Sequence, residues 1–180
     1  MDSAGDTIIE LAGEGTDSLT VTASSYALAA EAEVENVTLS GSGINFSGSA
    51  FGNTVAGTAG NDTIAGLGGI DALNGGAGND IFLFKETGAE NRDAITGFTD
   101  AADKIGLGLL EFLPLGASVD LAEVFSAATI VAWTPGAYLG YETGTKSIYY
   151  SALGDGTDRA IMAVLTGFGG TITEADFTML

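Results

Sequence analysis

The chain contains no cysteine and no histidine. Their absence excludes disulfides, thiolate metal sites, histidine-bound zinc, serine–histidine triads and histidine general bases. The only metals the sequence still admits are hard cations that accept oxygen ligands, namely Ca²⁺, Mg²⁺ or Mn²⁺. Proline occurs only 2 times, and 5 basic residues face 24 acidic ones, for a net charge of −19. So few basic side chains argue against nucleic acid or an anionic membrane surface as partner. No run of 18 apolar residues occurs, so membrane insertion by a helix is not expected. The N-terminus lacks a basic region followed by an apolar stretch. An ordinary cleaved signal peptide is therefore not expected either.

Two features are abundant. Glycine numbers 28, and 46% of residues are hydrophobic. Glycine without proline points to many tight turns that keep their backbone N–H groups. The apolar fraction is enough for a core, and 180 residues suggest one domain or two closely joined ones. The acidic excess has two readings. Divalent cations would relieve the self-repulsion, or the charge serves solubility alone.

An internal repeat accounts for the glycines. Residues 57–83 divide into GTAGNDTIA, GLGGIDALN and GGAGNDIFL. Position six is Asp62, Asp71 or Asp80, and position eight is Ile64, Leu73 or Phe82. Stepping back by nine, position eight reads Val55, Phe46, Val37, Leu28 and Leu19. The turn half fits well at 12–20, keeps the frame at 48–56 with Asn53 in place of aspartate, and loses most of its glycines between 21 and 47.

Six glycine-rich residues make a turn, and three of the form x-apolar-x make a short strand with its middle side chain inward. Two nonapeptides close one coil, so residues 18 apart stack. One edge then carries Asp17, Glu35, Asn53 and Asp71, and the other Tyr26, Ile44, Asp62 and Asp80. The expectation is an all-β chain. Residues 1–84 form a right-handed parallel β-roll, and 85–180 form an antiparallel β cap with one or two short helices. Two or more Ca²⁺ ions are expected, with Asp62 over Asp80 the best site and Asn53 over Asp71 a weaker one. Two aspartates cannot supply the six to eight oxygens that Ca²⁺ takes at about 2.3–2.6 Å. Backbone carbonyls must contribute, with Gly57, Ala59, Gly66, Gly68, Gly76 and Gly78 as candidates.

The nonapeptides resemble the repeat-in-toxin (RTX) family, also called hemolysin-type calcium-binding repeats. The tail, with RDAITGFTDAADKIGL, IYYSALGDGTDRAIMAVLTGF and a terminal TEADFTML, resembles the region after the roll in serralysin-like proteases, secreted lipases and alginate epimerases. These families share the roll and differ in catalytic domain, so the resemblance implies a module rather than an activity. It also implies an uncleaved C-terminal signal, type I secretion machinery as partner, and a secreted, extracellular or bacterial cell-surface location. Related tails often carry an aspartate-rich loop after the Tyr-Tyr strand. Here only Asp155 and Asp158 occupy it.

In the C-terminal half, 92–98 and 103–107 read as strands around a turn. Asp93, Asp100 and Asp103 suit either a capping ion site or turn and cap roles. Asp120 and Glu123 have capping-box spacing for a short helix. Tyr138–Glu142, Ser147–Ser151 and Ala160–Thr166 read as strands, with a hairpin turn at Thr143–Lys146. Trp133, Tyr138, Tyr141, Tyr149 and Tyr150 suit either a small β core or an extracellular polysaccharide. Three functions compete. They are a calcium-triggered folding and secretion module of a larger extracellular protein, a polysaccharide-binding or surface-layer module, and a glycosidase built on paired carboxylates. The first is expected, and no enzymatic activity is.

Overall fold

A three-residue strand has only one side chain to give to a core. Such strands are stable only when many are stacked, and the chain stacks them. The computed structural model describes residues 2, 15–86, 91–100, 102–108, 124–127, 139–151 and 159–180. The roll begins with β1 (Ser18–Val21), β2 (Ser25–Ala27), β3 (Asn36–Leu39), β4 (Asn45–Ser47) and β5 (Thr54–Thr58). It continues through β6 (Thr63–Ala65), β7 (Ala72–Gly76), β8 (Ile81–Phe84), β9 (Asp93–Thr96) and β10 (Lys104–Leu107). Odd-numbered strands build one sheet and even-numbered strands the other. Every pairing between these ten strands is parallel.

The 18-residue stacking rule holds through the middle. Leu19 pairs with Val37, Val37 with Val55, and Val55 with Leu73. On the other sheet Phe46 pairs with Ile64 and Ile64 with Phe82. All of these side chains are buried. The inward ladder that the nine-residue frame implies is therefore the core of the roll.

Two departures have physical causes. Tyr26, not Leu28, pairs with Phe46, a step of 20 residues. The turn at 30–35 has no glycine and is not a tight six-residue turn. The strand slides by two residues, which keeps the same side chains facing inward. Tyr26 and Leu28 are both buried as a result.

The second departure is larger. Parallel coiling does not stop at residue 84. Ile95 stacks on Leu73, 22 residues on, and Ile105 stacks on Phe82, 23 residues on. β9 and β10 thus form a further coil, not strands of an antiparallel cap. The turn before β9 carries four extra residues and the turn before β10 one, so a search at fixed spacing passes over them.

The remaining strands are β11 (Val124–Ala127), β12 (Leu139–Glu142), β13 (Ser147–Tyr150), β14 (Ala160–Thr166) and β15 (Phe177–Met179). β14 lies parallel to β9, and β15 lies parallel to β10. β12, β13 and β14 are antiparallel neighbours, with residues 143–146 as the hairpin turn. The antiparallel cap is real, and it extends the odd-numbered sheet. Phe98 meets Phe168 edge-on at 5.4 Å and lies 6.2 Å from Phe82, joining cap to roll. Among the described residues there is no α-helix, and a 3-10 turn at Glu174–Asp176 leads into β15. The expected helix start at Asp120–Glu123 lies outside the described residues, as do Trp133 and Tyr138. Tyr141 and Tyr150 are core residues, and Tyr149 is half-buried.

Ile64 is fully buried between Phe46 and Phe82. Ile64→Ala should cost about 2–5 kcal/mol, read as a lower urea midpoint at saturating Ca²⁺. An unchanged midpoint would show that the ladder is not the core.

Candidate metal-binding turns

Position six of each nonapeptide precedes the buried apolar residue by two. In a strand, side chains two apart share a face. The position-six side chain is therefore also turned inward, at the edge of the sheet. Asn53, Asp62, Asp71 and Asp80 are each no more than 2% exposed. A buried carboxylate is costly unless it is hydrogen-bonded or paired. The bonds come from the neighbouring coil.

One carboxylate oxygen accepts the backbone N–H of the residue that occupies position six one coil earlier. Asp62 Oδ1 accepts from Ile44 at 2.7 Å, and Asp80 Oδ1 from Asp62 at 2.9 Å. On the other edge Asp71 Oδ1 accepts from Asn53 at 2.6 Å, and Glu35 Oε2 from Asp17 at 2.8 Å. The stacks Asp62/Asp80, Asn53/Asp71 and Asp17/Glu35 are thus brought together, joined directly by peptide N–H groups. Tyr26, placed over Ile44 by spacing alone, lies out of register.

The ladder has two members that fixed spacing missed. Asp93 Oδ1 accepts from Asp71 N–H at 3.0 Å, and Asp103 Oδ1 from Asp80 N–H at 2.9 Å. Both are buried. Asp100, grouped with them on sequence, is exposed. The available signal was the local motif Asp-x-Ile, at 93–95 and 103–105, which repeats the strand entry of Asp62-Thr-Ile64.

The second oxygen faces its own turn. Asp62 Oδ2 accepts the N–H and the hydroxyl of Thr58, both at 2.8 Å. Asn53 Oδ1 accepts from Ser49 N–H, and Asp103 Oδ2 from Thr99 N–H at 2.7 Å. Asp71 differs, because its Oδ2 is buried and has no hydrogen-bond partner. It lies against Gly66, where a Cβ would come within 2.0 Å of that oxygen. Gly75 holds the same relation to Asp80 Oδ2, at 2.2 Å. These two glycines are required by space, since the carboxylate occupies the place of their side chain.

The other candidate carbonyl donors sit between coils. Gly57 packs on Gly75, Gly76 on Thr58, Gly78 on Gly60 and Gly68 on Ala50, while Ala59 is exposed. Consecutive turns therefore bring their backbones within contact. Among the described residues no three acidic side chains converge as a metal cluster. An ion here would be held mainly by carbonyls with one or two carboxylates, which suits Ca²⁺ and no soft metal. The unpartnered Asp71 Oδ2 fits such an ion.

Charge points the same way. Burial, reinforced by the Asp71 charge and then Glu86, pushes Asp93 up to about 8. Burial likewise raises Asp71 to about 6, against the pull of hydrogen bonds from Asn53 and Asp93. Asp80 is also raised, first by burial. Without a cation, this pair keeps protons that the unfolded chain releases above its ordinary 3.8. The folded state then binds more protons than the unfolded state, so stability falls as pH rises. In chelator, the melting temperature should drop between about pH 4 and about pH 8. Asp93→Asn should flatten that slope, and saturating Ca²⁺ should remove it. A melting temperature that climbs with pH in chelator would contradict the assignment.

No curated protein matches the chain. The family model described as the RTX calcium-binding nonapeptide repeat matches residues 47–82, in four copies. That span runs from the last residue of β4 to the middle of β8, including the turns of Asn53, Asp62, Asp71 and Asp80. Residues 47–82 are RTX calcium-binding repeats, and they are wound here into a parallel β-roll.

Proposed function

We propose that the chain is a calcium-triggered folding module that serves secretion and stability of a larger extracellular protein. One observation carries this reading. Within the matched repeats, buried carboxylates stack at the roll's edges, and no backbone N–H or hydroxyl reaches Asp71 Oδ2. RTX repeats are typical of secreted bacterial proteins. The module is read as exported by type I machinery and as non-catalytic. Its position-six carboxylates are already engaged by backbone N–H groups inside the roll.

The residues explain how Ca²⁺ would act. At low Ca²⁺ the acidic turns repel one another and the roll is weakened. Extracellular modules bind Ca²⁺ at about 10⁻⁴–10⁻³ M, and the binding free energy adds to folding. Export unfolded and folding outside follow from that difference. Circular dichroism and thermal melts with and without chelator test it. Chelator should abolish most of the β signal and Ca²⁺ should restore it. A full β signal with an unchanged melting temperature in chelator defeats the switch.

A second reading has its own observation. A groove of about 410 Å³ crosses the outer face of the odd-numbered sheet, lined by Ile70, Arg92, Thr145, Ser147, Tyr149 and Thr166 among others. Arg159 lies 6.0 Å over the Tyr149 ring. Arg92 and Tyr149 thus share the groove wall with Asp93, and Arg159 reaches it through the Tyr149 ring. That chemistry suits an acidic polysaccharide, with Tyr149 against a sugar ring and arginine on a carboxylate. Calorimetry with a uronate oligosaccharide should show binding that Tyr149→Ala and Arg92→Ala both weaken. Binding untouched by either substitution excludes the groove.

A further inference from the structure

The groove that holds Tyr149 and Arg92 runs across the strands, not along them. Its lining passes from Ser147 on β13 through Val164 on β14 to Ala94 on β9. These are register partners, Ser147 with Val164 and Val164 with Ala94. The same row continues over the roll. Ala94 pairs with Ala72, Ala72 with Thr54, Thr54 with Asn36 and Asn36 with Ser18. A second row starts two residues on, at Thr166 in the groove wall. It passes through Thr96, Asn74, Ala56 and Thr38 to Thr20.

Both rows alternate with the buried ladder of Leu19, Val37, Val55, Leu73 and Ile95, so their side chains stand outward. From β7 to β1 all of them are exposed except the half-buried Asn36. None is charged and none is larger than asparagine, in a chain with 24 acidic residues. The groove therefore opens onto a flat face of hydroxyls, amides and methyls. The opposite direction is closed. Beyond Ser147 the first row meets Glu142, a buried carboxylate that accepts the Thr145 hydroxyl. An anionic chain seated in the groove is repelled on that side and meets no acid along the rows.

We propose that the groove is one end of a longer binding track, and that its ligand is an extended acidic polysaccharide lying across the strands from Tyr149 toward β1. This rests on the polysaccharide reading of the groove and extends it. Neighbouring strands are about 4.8 Å apart, so the face from β9 to β1 adds roughly 19 Å to the groove. An extended sugar chain advances by about one strand spacing per ring, so about four further rings fit. Arg92 holds a carboxylate at the groove end. Serine, threonine and asparagine side chains both donate and accept, as ring hydroxyls require. Each such contact replaces one made with water and adds little, so the face acts through several contacts to one chain.

Calorimetry of the Ca²⁺-saturated full chain with galacturonate dimers and hexamers tests the track. The hexamer should bind at least about tenfold more tightly than the dimer. Thr54→Glu and Thr38→Glu each place a carboxylate on the face, at exposed positions outside the groove. Either should return the hexamer to the affinity of the dimer, with dimer binding and melting temperature unchanged. Tyr149→Ala should weaken both oligomers. A smaller length gain, or one that survives both face substitutions, overturns the track and leaves the groove reading standing. Failure of both oligomers to bind overturns the groove reading as well.

Discussion

One hydrogen bond organises this protein. A position-six carboxylate oxygen accepts the backbone N–H of the residue one coil earlier, as between Asp80 and Asp62. The bond belongs to neither strand alone. It ties successive coils at the edges of the sheets, where the ladder of strand hydrogen bonds has ended. A charged acceptor makes such a bond stronger than a neutral one. It also requires the carboxylate to be buried, and that requirement shapes the rest of the roll. Gly66 and Gly75 have no side chain because Asp71 and Asp80 fill the space. The core residue two positions on is aligned by the same turn.

The arrangement carries a built-in conflict. Each edge of the roll stacks acidic groups a coil apart, in surroundings that disfavour charge. Hydrogen bonds answer part of the conflict, and they answer it unequally. Asp62 is surrounded by donors, whereas Asp71 meets Asp93 with one oxygen unpartnered. A proton or a divalent cation answers the remainder. A fold assembled from such turns is sensitive to its ionic surroundings by construction, and an ordinary hydrophobic core would not confer that sensitivity. The aromatic seal of Phe82, Phe98 and Phe168 works differently. It closes the C-terminal end by apolar contact and does not depend on ions.

Much of the architecture was legible before the coordinates. The nine-residue period located the inward ladder from Val37 to Phe82. What was misread shares one cause. The slide at Tyr26 and the extra coil at Ile95 and Ile105 both depend on turn length. Short strands pair wherever their turns deliver them, so a turn of altered length shifts the register without altering the strand motif. Asp93 and Asp103 carried the right local signature at irregular spacing.

The sequence by itself determined the repeat unit, the inward residues, the hard-cation chemistry and the glycine turns, because each is encoded within nine neighbouring residues. The tertiary structure decided which N–H reaches which carboxylate. It showed that Thr58 donates to Asp62 Oδ2 and that no backbone N–H or hydroxyl reaches the Oδ2 of Asp71. Those facts join residues of different coils or depend on the backbone angle of one residue. Composition and spacing do not fix either, and the packed roll does.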